Sequence, residues 1–131
     1  MRIKIYLYAE SQSHSLTALE AIIGLPPSRT WLMGSLKEHG AGVYPRNSCA
    51  YEEECVNNFM ADELLQQFLE KPSILSALAR LNQSTDIDFG VNVVIYKAEC
   101  ESFPALHFSR DLVLLLAKYQ LQVDIDQYRC P

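Results

Sequence analysis

His107 and Ser109 are the first residues of this chain that could do chemistry together. A histidine near a serine suggests a general base beside a nucleophile, and Cys100, seven residues before His107, offers a thiol as an alternative. Both residues also have simpler roles, His107 on the surface and Ser109 as the cap of the helix that follows. No pair in the sequence has a spacing that predicts catalysis, so we expect no catalytic residues and no enzyme.

The remaining candidate ligands and nucleophiles are histidines and cysteines. They are His14, His39 and His107, with Cys49, Cys55, Cys100 and Cys130. The histidines share no metal-ligand spacing with each other or with a cysteine, so neither a metal site nor a cofactor is expected. The cysteines have neither Cys-x-x-Cys spacing nor the density of a disulfide-stapled secreted domain, which predicts free thiols. Because the amino terminus also lacks the features of a secretory signal, we expect a cytoplasmic protein.

Length and charge narrow the classes of partner. The chain has 131 residues, 49% of them hydrophobic, which predicts a single domain over residues 1–131. Its net charge is −5, and no cluster of Lys and Arg is longer than a pair, which argues against nucleic acid. The longest uncharged apolar run, Leu112 to Ala117, is far too short to span a membrane. A basic partner is expected, although acidity alone also keeps many soluble proteins dispersed.

The elements that must position these residues follow from hydrophobic periodicity. Strands are predicted at Arg2 to Tyr8, Ser48 to Val56, Asp86 to Lys97 and Leu121 to Ile125; helices at Leu16 to Ile23, Asp62 to Glu70 and Ser73 to Leu81, with a last helix capped by Ser109. Residues 28–47 predict a long loop or an irregular strand around Trp31. The order favours a ferredoxin-like α+β fold: a four-stranded mixed sheet, helices on one face, and a two-helix insertion between β-α-β halves.

Carboxylates on the outward face of two predicted strands form the sharpest pattern. They are Asp86, Asp88, Asp124 and Asp126, and by strand parity they share that face with Tyr6, Tyr8, Tyr96 and Tyr128. Two interpretations stay open. The carboxylates could pair across strands with Arg2 and Lys4 on a solvated sheet, or the surplus of carboxylates over cations could steer a basic partner onto the tyrosines. Two-metal chemistry is not expected, because a flat sheet provides no enclosing cavity.

The Glu52-Glu53-Glu54 run is the second acidic feature. We interpret Glu52 and Glu54 as part of a solvated strand edge, which could extend the surface that binds the partner. An inward-facing Glu53 would need a partner or a raised pKa, so a bulge or loop is the simpler expectation at that position.

Two segments also resemble a known family. The first is Ile23-Gly24-Leu25-Pro26-Pro27-Ser28-Arg29-Thr30-Trp31, with Gly34 after it, and the second contains Asp88-Phe89-Gly90-Val91-Asn92-Val93-Val94-Ile95-Tyr96, Leu106-His107-Phe108-Ser109 and Val123-Asp124-Ile125-Asp126-Gln127-Tyr128. They resemble the bacterial domain of unknown function 4279 over nearly the whole chain. The resemblance implies a small α+β protein without an assigned reaction, similar to immunity proteins found beside polymorphic toxins.

Three hypotheses of function follow. The first is a non-catalytic protein-binding module, a bacterial immunity protein that neutralises a basic toxin domain without contacting nucleic acid or membrane. Its predicted binding residues are Asp86, Asp88, Asp124, Asp126, Tyr96, Tyr128, Glu52 and Glu54. The second is a small-ligand sensor or enzyme that uses the Arg29 and Trp31 loop with His107. The third is a homodimer formed through the open sheet face or an edge strand.

Overall fold

A computed structural model describes residues 1–56, 60–103 and 106–130 of the chain, which form an α+β fold. The strands are β1 (Arg2–Ser11), β2 (Arg29–Trp31), β3 (Asn47–Val56), β4 (Asp88–Ala98) and β5 (Gln122–Cys130), and the helices are α1 (Leu16–Ile23), α2 (Ala61–Glu70), α3 (Pro72–Gln83) and α4 (Arg110–Lys118). The predicted α+β class is confirmed, and each predicted strand and helix has a counterpart. No helix in these ranges is long and apolar enough to cross a bilayer.

The sheet is mixed, as predicted, but it has five strands rather than four, in the order β2-β3-β1-β4-β5. Strand β1 pairs antiparallel with both β3 and β4, and β4 pairs in parallel with β5. The ferredoxin-like arrangement is not confirmed, because β5 lies beside β4 and does not flank β1. The extra strand is β2, around Trp31. It is only three residues long and has no periodicity of its own, so its pairing with β3 could not be read from the sequence.

All four helices contribute to one core, which covers a single face of the sheet. The inward residues of β1, Ile3, Ile5, Leu7 and Ala9, are at most 3% exposed, and Val91, Val93 and Ile95 of β4 lie beside them. Leu19, Leu65, Leu78 and Leu112, one from each helix, complete the same cluster. The strict alternation of β1 therefore leaves its even-numbered residues on the opposite face of the sheet.

Two helices begin at serine caps, and one ends at a glycine. Ser15 caps α1 by accepting a hydrogen bond from the Ala18 amide at 3.1 Å, and Ser109 caps α4 by accepting from the Leu112 amide at 3.2 Å. Gly24 ends α1 in the left-handed conformation, with φ of 70°. Each of these signals depends on one side chain and the backbone next to it.

Two local predictions are wrong. Glu53 lies in a regular stretch of β3 opposite Ile5, not in a bulge, and its carboxylate accepts a hydrogen bond from the Lys71 ammonium, which supplies the partner that an inward carboxylate needs. Asp86 lies before β4 rather than in it, in a left-handed turn with φ of 61°. Its carbonyl accepts a hydrogen bond from the Ser11 hydroxyl at 2.6 Å. Asp86 is therefore part of a turn and not of the alternating strand face.

Candidate functional site

The sheet face that carries no helices holds a groove lined largely by aromatic side chains. Its volume is about 670 Å³, which is within the usual range for ligand sites. The aromatic lining residues are Tyr6, Tyr8, Trp31, Tyr44, Tyr96 and Tyr128. We call this cavity the aromatic groove. Because the six rings come from four strands and one loop, the groove crosses almost the whole sheet.

Small residues flank Tyr8 on both neighbouring strands. In the row of residues through Tyr8, the neighbours are Ala50 on β3 and Gly90 on β4. A Cβ atom at Gly90 would lie 2.6 Å from the Tyr8 hydroxyl oxygen and 2.7 Å from a Gln122 side-chain carbon. Glycine at this position therefore lets the Tyr8 ring lean across β4 toward β5.

Strand β2 and the loop after it build one wall of the groove. Trp31 pairs with Ser48 of β3, and Tyr44 exchanges two backbone hydrogen bonds with the 34–35 segment, each 2.9 Å long. Asn47 fixes this loop to the fold: its side chain accepts from the Met33 amide at 2.8 Å and donates to the His14 carbonyl at 3.0 Å. The wall is thus a hydrogen-bonded hairpin rather than an unstructured loop.

Most carboxylates of the open face are already paired with cations. Lys4 contacts Glu52 at 2.9 Å and Arg2 contacts Glu54 at 3.4 Å. The hydrogen bond from Lys4 to Glu52 is the largest cause of the raised pKa of Lys4, which keeps its ammonium charged. Among the described residues, Arg2 and Lys4 therefore pair across strands with Glu54 and Glu52 of β3, and not with the four aspartates that the sequence suggested.

A second group of charges surrounds Arg46, at the end of β1 nearest the hairpin. Arg46 lies 3.1 Å from the Glu10 carboxylate and 3.7 Å from that of Asp88. Asp88 also accepts a hydrogen bond from the Gln122 amide at 2.8 Å. Both carboxylates are therefore neutralised within the chain, although Glu10 also lines the groove.

The carboxylates of β5 differ, because no cation of the described residues pairs with them. Asp124 accepts a hydrogen bond from the Tyr8 hydroxyl at 3.3 Å. Burial, with the nearby charge of Asp124 next in importance, raises the pKa of Tyr8 to about 12, so this hydroxyl stays protonated and can donate. Asp126 lines the groove and forms no ion pair or hydrogen bond with any described residue. The surplus negative charge of the face thus lies on β5.

Only some of the residues predicted to bind the partner line the groove. Asp126, Tyr96 and Tyr128 line the groove, and Tyr96 stacks on Tyr128 with ring centroids 5.7 Å apart. Asp124 does not line the groove, but it accepts a hydrogen bond from Tyr8, which does. The other members are separate from it: Glu52, Glu54 and Asp88 are on the same face but engaged with cations, and Asp86 is in the turn before β4.

The residues of the small-ligand hypothesis do not all lie in one place. Arg29 and Trp31 line the groove, so the loop and the tyrosine face, which the sequence suggested separately, belong to one cavity. His107 does not line it. Ser109, two residues on, donates a hydrogen bond to Gln66 of α2, which puts this segment on the helical side of the sheet. The described residues contain no group of three or more His, Cys, Asp and Glu that could hold a metal ion.

Sequence reasoning missed several lining residues, notably Tyr44, Asn92 and Val94. Strand parity could have identified Asn92 and Val94, since both alternate with the buried residues of β4. No comparable signal existed for Tyr44, because residues 32–46 have no periodicity and only the folded hairpin brings Tyr44 to the sheet.

The fold and the groove define a small α+β domain with one helix-covered face and one open aromatic face. The chain belongs to the family described as domain of unknown function (DUF4279), whose model matches residues 1–129. No match was found among the curated proteins or among the solved structures. The family membership confirms the resemblance seen in the sequence and assigns no activity.

Proposed function

We propose that this protein is a non-catalytic binding module that recognises a basic protein partner through the open face of its sheet. The observation that carries the proposal is the combination, on one face, of the aromatic groove with the carboxylates of β5, which pair with no cation of the described residues. Tyrosine and tryptophan provide large contact areas at low entropic cost, and they are enriched among residues that dominate binding energy. Unpaired carboxylates beside them favour a positively charged partner.

The family resemblance suggests what kind of partner this is. Similar domains resemble immunity proteins encoded beside polymorphic toxins, so the proposed partner is a basic toxin domain that this chain binds and thereby inactivates. A cytoplasmic location is part of the proposal. It is supported by Cys49, Cys55, Cys100 and Cys130, all of which are free thiols.

Binding of a small molecule is a second candidate for the same cavity. Arg29 and Trp31 form one end of the groove, and Arg29 makes no ion pair with any described residue, so an anionic planar ligand could bind there. Protein binding is the stronger candidate. The groove is open along the sheet, and the exposed ring of Tyr128 extends the aromatic surface onto the edge strand β5.

Charge reversal on β5 tests the electrostatic part of the proposal. In the variant with Asp124→Lys and Asp126→Lys, we expect association with the product of the neighbouring gene to slow by about 10-fold or more at low salt. The rate constant is measured by stopped-flow or surface plasmon resonance between about 20 and 300 mM salt. The difference from the wild type should shrink as salt rises, because salt screens steering.

The matched control reverses two exposed carboxylates on the helical side, Glu63→Lys and Asp111→Lys, and so changes the net charge equally. We expect it to alter the association rate much less than the β5 variant. Equal slowing by the two variants would mean that only net charge matters, and unchanged rates in both would remove the acidic face from the proposal.

A further inference from the structure

The β4 and β5 end of the aromatic groove contains two hydrogen-bond acceptors that the described parts of the chain leave unused. One is the Asp126 carboxylate, which is half-buried and forms neither an ion pair nor a hydrogen bond with a described residue. The other is the side-chain oxygen of Asn92, which is shielded from solvent and accepts no hydrogen bond there either. A buried acceptor without a donor is costly, so its retention needs an explanation.

These acceptors are neighbours on the sheet. Asp126 pairs with Val94 of β4, and Asn92 is two residues from Val94 on the same strand and therefore on the same face. Such diagonal neighbours are about 7–8 Å apart at the backbone. Val94, between them, is an aliphatic residue that also lines the groove.

Aromatic rings surround the two acceptors. Tyr6 pairs with Asn92 from β1, and the Tyr96 and Tyr128 rings stack one row farther along the sheet. The Arg2 guanidinium already lies 4.5 Å from the centre of the Tyr96 ring. This arrangement shows that the ring cluster suits a planar cation, which the electron-rich faces of aromatic rings attract.

The protein's own cations do not supply the missing donor. Lys4 is in the same row as Asp126 but contacts Glu52 on the far side of β1, and Arg2 contacts Glu54. Arg29 is on β2, four strand spacings or about 19 Å from β5. Within residues 1–56, 60–103 and 106–130, no cation therefore compensates the negative charge at this end of the groove.

We infer that this end of the groove is a subsite for an arginine side chain of the protein partner. A guanidinium is planar and carries five N–H donors, so it can donate to Asp126, and to Asn92 once that side chain rotates to turn its oxygen into the groove, while its face packs on a tyrosine ring. An ammonium lacks the planar face and the forked donors. The inference rests on the proposed function, since the arginine is taken to belong to the protein that the open face binds.

A titration with single amino-acid derivatives tests the subsite on the whole chain. N-acetyl-arginine amide is added to the ¹⁵N-labelled protein, and amide shifts are followed by NMR; the matched probes are the neutral N-acetyl-citrulline amide and the cationic Nα-acetyl-lysine amide. We expect the largest shifts at Asn92, Val94, Asp126 and Tyr128. Citrulline should bind about 10-fold or more weakly, because a charge-assisted hydrogen bond is lost, and lysine should bind more weakly than arginine.

The protein variant Asp126→Asn should weaken arginine binding by a similar factor, whereas Asp111→Asn on α4 should leave it unchanged. Equal binding of arginine and citrulline, tighter binding of lysine, or wild-type affinity in Asp126→Asn would overturn the subsite. A partner footprint on the open face without arginine binding would overturn the subsite alone. Arginine binding without such a footprint would instead overturn the proposed function.

Discussion

Alanine at Tyr128 is expected to weaken the complex with the protein partner by about 30-fold or more. Tyr128 lines the groove at its open end, is 52% exposed, and stacks on Tyr96. Truncation of an aromatic residue that anchors an interface typically costs at least about 2 kcal/mol of binding free energy, which corresponds to that factor. Calorimetry or surface plasmon resonance with the neighbouring gene product measures the dissociation constant directly.

Phe108→Ala is the matched control, since Phe108 is an exposed aromatic residue just before α4, on the helical side. We expect it to change the dissociation constant less than twofold. Thermal unfolding of both variants separates lost contacts from lost stability, because the Tyr96 and Tyr128 pair also contributes to the fold. A threefold or smaller effect of Tyr128→Ala, with a larger effect of Phe108→Ala, would place the interface on the helices.

Leu78→Ala is expected to lower the free energy of unfolding by about 2–5 kcal/mol, the range measured when a buried leucine is truncated. Leu78 lies on α3, is fully buried, and belongs to the core that joins all four helices to the sheet. The loss combines the transfer free energy of the deleted atoms with the cavity that remains. Urea denaturation followed by circular dichroism measures it.

Leu114→Ala applies the same chemical change at a residue of α4 that is 60% exposed. We expect a loss below about 0.5 kcal/mol, as is usual for surface substitutions away from special features. Similar losses for the two variants would mean that α3 does not pack on the sheet as described here.

The sequence predicts the buried residues of the sheet well, because apolar and polar residues alternate along a strand that has one buried face. The inward residues of β4, from Val91 to Ile95, are buried as their spacing requires, and the same parity puts Tyr96 and Asp126 on the open face. The cap at Ser109 was equally predictable. Each of these signals is carried by residues close together in the chain.

What could not be predicted depends on contacts between distant segments. The hairpin that brings Tyr44 to the groove is held by Asn47, whose side chain bonds to both Met33 and His14. Glu53 finds its partner in Lys71, eighteen residues later. Neither contact has a local sequence signature. The hairpin wall of the groove and the pairing of Glu53 therefore could not be predicted from sequence patterns.

The partner surface is the central claim, and hydrogen–deuterium exchange of the complex tests it most directly. The chain is bound to the product of the neighbouring gene, and exchange is compared with that of the free chain. We predict protection concentrated in β5, the 29–46 hairpin and the groove residues of β4, with α2 and α4 unchanged. Protection confined to the helices, with Asp124, Asp126 and Tyr128 exchanging as in the free chain, would contradict the account.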